Sequence, residues 1–84
     1  MTNLDHIRSL INHGACIKAG EQQIPLTEDF YQQAVEQCRT GGYNAVTFDL
    51  ILPGIEEPMM LAVWADGHVD SGTVKSICGC LASR

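Results

Sequence analysis

Two strand-like apolar runs, each bounded by turn residues, constrain this chain most. Residues 43–52 alternate in a strand period: Val46, Phe48, Leu50 and Leu52 point one way, Ala45, Thr47, Asp49 and Ile51 the other. Pro53-Gly54 breaks that run, and a loop carrying Glu56 and Glu57 follows. Residues 59–65 read as a second strand, and Asp66-Gly67 as a hairpin turn that returns residues 68–71 antiparallel. A two-residue turn there sets Trp64 opposite Val69 and Val63 opposite Asp70. One face of the hairpin then carries Met60, Ala62, Trp64 and Val69, and the other Met59, Leu61, Val63, Ala65, His68 and Asp70. Both faces of the 59–65 strand are apolar, so both need cover.

The flanking segments supply amphipathic helices. Residues 2–13 form the first, capped by Thr2 or Asn3, with Leu4, Ile7 and Ile11 on one face and Gly14 just past its end. A short hairpin of residues 15–18 and 22–26 follows, and Pro25 confines its second strand to an edge. Thr27 caps the next helix, whose first turn holds Glu28 and Asp29 and whose stripe is Phe30, Ala34 and Cys38. Gly41-Gly42 ends it, with Gly41 in the left-handed position. Val74, Ile77, Cys78 and Leu81 have helical spacing behind a cap at Ser71 or Thr73. The expected order is α-β-β-α-β-β-β-α. The fold class is α+β: a small two-layer sandwich whose antiparallel sheet, of three or more strands, is covered by two to three helices. Residues 1–84 make a single domain, because chains divide only above roughly 250 residues.

Charge narrows the partners. The net charge is −5, and residues 40–74 hold five acids and no Lys or Arg. The five basic residues, Arg8, Lys18, Arg39, Lys75 and Arg84, form no stripe, which argues against direct contact with nucleic acid or an anionic membrane. No apolar run approaches the roughly 18 residues a membrane helix needs, and the first residues resemble no signal peptide. A cytoplasmic setting is therefore expected, with Cys16, Cys38, Cys78 and Cys80 as reduced thiols.

No catalytic or metal signature emerges. On a helix, Cys78 and Cys80 lie about 200° apart and cannot chelate one ion; Cys38 and Cys78 read as small core residues. His6 and His13 sit about 10 Å apart along one helix and read as surface residues. Neither a cofactor nor enzyme activity is expected.

The expected role is a protein-binding module. Its partner surface is assigned to Asp49, Glu56, Glu57, Met59, Leu61, Val63, Trp64 and Asp70, an apolar patch beside unopposed acids. Such a face suits a basic partner, and an inhibitor could occupy that partner's nucleic-acid-facing site. Small inhibitors from phages and mobile elements, anti-CRISPR proteins among them, share this size and charge, an analogy of class that no motif carries. The alternatives are a homodimer that buries the second sheet face against its twin and, less favoured, a cysteine-based metal or redox protein.

Overall fold

Alternating strands and amphipathic helices assemble here as one five-stranded antiparallel sheet flanked by three helices. The computed structural model describes residues 3–82, with the side chains of 4–79. The elements run α1 (Asn3–Asn12), β1 (Cys16–Ala19), β2 (Gln22–Pro25), α2 (Glu28–Gly41), β3 (Ala45–Ile51), β4 (Met59–Trp64), β5 (Val69–Thr73) and α3 (Val74–Ala82). This is the expected order and class. The sheet order is β2-β1-β3-β4-β5, which leaves β2, with its Pro25, at an edge as its missing N–H requires.

Capping chemistry sets the helix boundaries. Thr27 is extended (φ −134°, ψ 164°), and its Oγ1 accepts from the Phe30 N–H at 3.1 Å. At the other end Gly42 (φ +72°), not Gly41, takes the left-handed position. The helix closes through the Tyr43 N–H, which donates to the Cys38 carbonyl at 2.9 Å, so the chain reverses one residue later than expected. A Cβ at Gly41 would lie 2.5 Å from the ring of the exposed Tyr43, which would have to swing aside. Thr73 caps α3, its Oγ1 accepting from the Ser76 N–H at 3.2 Å. The Thr2 cap of α1 lies outside the described residues.

The hairpin between β4 and β5 departs from the expected register by one residue. Val63 pairs with Val69 and Ala62 with Asp70, because the loop is Ala65-Asp66-Gly67 rather than Asp66-Gly67 alone. Trp64 and His68 close the loop, the Trp64 N–H donating to the His68 carbonyl and the Gly67 N–H to the Trp64 carbonyl, each at 2.9 Å. Gly67 supplies the left-handed residue (φ +93°) that a three-residue hairpin loop needs. Three side chains of α2 hold the loop and strand end: Tyr31 Oη donates to the Gly67 carbonyl at 2.6 Å, Arg39 Nε to the Ala65 carbonyl at 3.2 Å, and Cys38 Sγ to the Val63 carbonyl at 3.6 Å. Because side chains alternate along a strand, the slip exchanges the faces of β5. Val69 joins Leu61 and Val63 in the main core, while His68 and Asp70 move to the face of Trp64.

Gly67→Ala tests this loop. A side chain there meets both the left-handed backbone and Tyr31 Oη at 3.2 Å. The expected loss is about 1–2 kcal/mol, read as a lower urea midpoint at unchanged slope. An unchanged midpoint would mean that the loop does not use this residue.

Cover of the two faces is divided between the helices. One face, with α1 and α2, encloses Ile7, Ile17, Leu26, Ala34, Val35, Leu50, Leu61, Val63 and Val69. On the other, Ile77 of α3 packs on Ala62 and Trp64, with Ala45 and Met60 around them. The second apolar face of β4 is thus covered from within the chain.

Candidate partner-binding surface

The exposed chemistry gathers where β3 ends and the chain loops to β4. Asp49 is the last polar position of β3's reverse face, and cross-strand pairing places it in line with Lys18 of β1, Gln23 of β2 and Met60 of β4. Beyond Leu52, Gly54 (φ +79°) turns the chain, and the Ile55 N–H donates to the Leu52 carbonyl at 3.2 Å. The loop is tied down at its far end, where the Pro58 carbonyl accepts from the Val74 N–H at 3.2 Å. Between loop and sheet lies an open cleft of about 400 Å³. Asp49, Glu56, Glu57 and Lys18 give it charge; Ile51, Ile55, Pro58 and Met59 give it apolar wall. Ile55 is 46% exposed and stands beside the acids of the loop.

Four of the eight expected partner residues, Asp49, Glu56, Glu57 and Met59, line this one cleft. The other four lie elsewhere. Leu61 and Val63 are 0% exposed in the main core, because their face of β4 is the one that α1 and α2 cover, and they are not available to a partner. Trp64 is 6% exposed and packed with Ile77. Asp70 is half-buried, and its Oδ2 pairs with His68 Nε2 at 3.1 Å. The His68 ring in turn lies 4.9 Å from that of Trp64, tilted by 59°. Asp70 therefore belongs to a local cluster with an internal partner rather than beside Val63.

Lys18, Gln23 and Ile55 also line the cleft and are not among the expected partner residues. Ile55 carried a signal, an aliphatic residue between turn glycine and acid in a loop. Lys18 carried none, since its position depends on the non-local pairing of β1 with β3. Its presence opposite Asp49 means that the acids of residues 40–74 are not unopposed: one cation stands among three exposed carboxylates at the cleft.

Other polar groups are engaged structurally. His6 is half-buried, not a free surface residue, with Nε2 at 2.8 Å from Ser71 Oγ. His13 is exposed, its Nδ1 at 2.7 Å from the Ser9 carbonyl oxygen. Cys38 is buried as expected, but Cys78 is exposed, because α3 turns Ile77 rather than its neighbour onto the sheet. The side chain of Cys80 lies outside the described residues. Among the described residues no cluster of three His, Cys, Asp or Glu could hold a metal, and no helix is long and apolar enough to cross a membrane. A second open cleft, of about 480 Å³, runs between α1 and the start of α2. Its Arg8 is already paired with Glu28, and that hydrogen bond, with the carboxylate's charge, raises the guanidinium's pKa further. Compared with protein-family models, curated proteins and solved structures, the chain matches none.

Proposed function

We propose that this protein is a small, non-enzymatic binding module that docks the β3–β4 end of its sheet on a basic surface of another protein. The observation that carries the reading is the cleft itself. Three exposed carboxylates, Asp49, Glu56 and Glu57, rim it together with a half-exposed Ile55 and the half-buried Met59. Carboxylates at a rim steer and align a cationic partner, and an aliphatic side chain beside them offers apolar contact that salt does not screen. The partner is accordingly one with Lys or Arg around an apolar spot, such as a nucleic-acid-facing site, and occupying it would inhibit that partner. A homodimer built on the second sheet face is the weaker reading, since Ile77 already covers Ala62 and Trp64 there.

The test is affinity capture from native cell extract, washed at low and then at high salt, with the bound proteins identified by mass spectrometry. The wild-type chain is expected to retain a basic protein that high salt releases. The Asp49→Lys/Glu56→Lys/Glu57→Lys variant, with all three positions exposed, is expected to fold normally and to lose that protein. Equal capture by the folded variant would refute the reading. Lys18→Ala should act oppositely, strengthening the interaction by about twofold to fivefold, the scale of one screened surface charge. A weaker interaction would instead place Lys18 in direct contact with a partner acid.

A further inference from the structure

We draw no further inference here: the strongest candidate, the acid-rimmed cleft between the end of β3 and the 52–58 loop, belongs to the site already described, and nothing else in the structure shows what occupies it.

Discussion

Leu61→Ala is expected to destabilise the domain by about 2–5 kcal/mol, the range for deleting a fully buried leucine side chain. Leu61 is 0% exposed and lies midway along β4, with Phe48 of β3 and Ser71 of β5 as its cross-strand partners. Phe48 meets Phe30 of α2 edge to face at 4.8 Å, so this ring pair leans on the same part of the core. Truncation leaves a void bounded on two sides by strands and on a third by helices, where collapse is limited. At roughly 0.05–0.15 kcal/mol per residue, a domain of this length holds only about 4–12 kcal/mol in all. The variant would therefore lose a large share of its stability, and much of it could be unfolded at physiological temperature. Urea denaturation measures this directly. A loss below about 1 kcal/mol would place Leu61 outside the core and return it to the partner surface. The exposed Asp49 offers the contrast: Asp49→Lys sets a second lysine opposite Lys18 and should still cost no more than about 1 kcal/mol.

Ile77→Ala is expected to act on a different unit. Helix α3 has nine residues and contains Gly79, so its own helical tendency is too weak to hold it in water. Ile77, 1% exposed, joins it to Ala62 and Trp64. Removing most of that side chain should cost about 2–5 kcal/mol and loosen α3 while the main core, which shares none of these residues, persists. Trp64 is the chain's single tryptophan and reports on this cover. Its emission should shift to the red and become accessible to an aqueous quencher, with the far-UV signal of α2 retained. Unchanged Trp64 fluorescence in the variant would show that something other than Ile77 shields the reverse face.

The contrast between these substitutions explains which features were legible beforehand. Helix α2 was readable because its signals are local: Thr27 caps it, acids fill its first turn, and a Gly pair ends it. The edge position of β2 followed from one residue, Pro25, β3 from its alternation, and β4 from a short apolar run bounded by turn residues. The hairpin register was not readable to the residue. Asp66-Gly67 fits both a two-residue turn and the end of a three-residue loop, and the choice rests on Tyr31 and Arg39, which reach it from α2. That one-residue difference moved Asp70 from the side of Val63 to that of Trp64 and separated it from the other acids of the proposed docking surface.

The candidate site divides in the same way. Glu56, Glu57 and Asp49 were visible as acids in a stretch without Lys or Arg, and the loop between Pro53 and Pro58 was visible as a loop. That Lys18 lines the same cleft was not, because it is about thirty residues from Asp49 in the chain and stands opposite it only through strand pairing. Along Met59–Trp64 the sequence by itself determined an apolar strand needing cover on both faces, within an α+β chain whose net charge is −5. Only the tertiary structure decided that α1 and α2 take one face and α3 the other. The physical reason is that alternation records how many faces must be buried, whereas the covering element is chosen by packing between segments far apart in the chain.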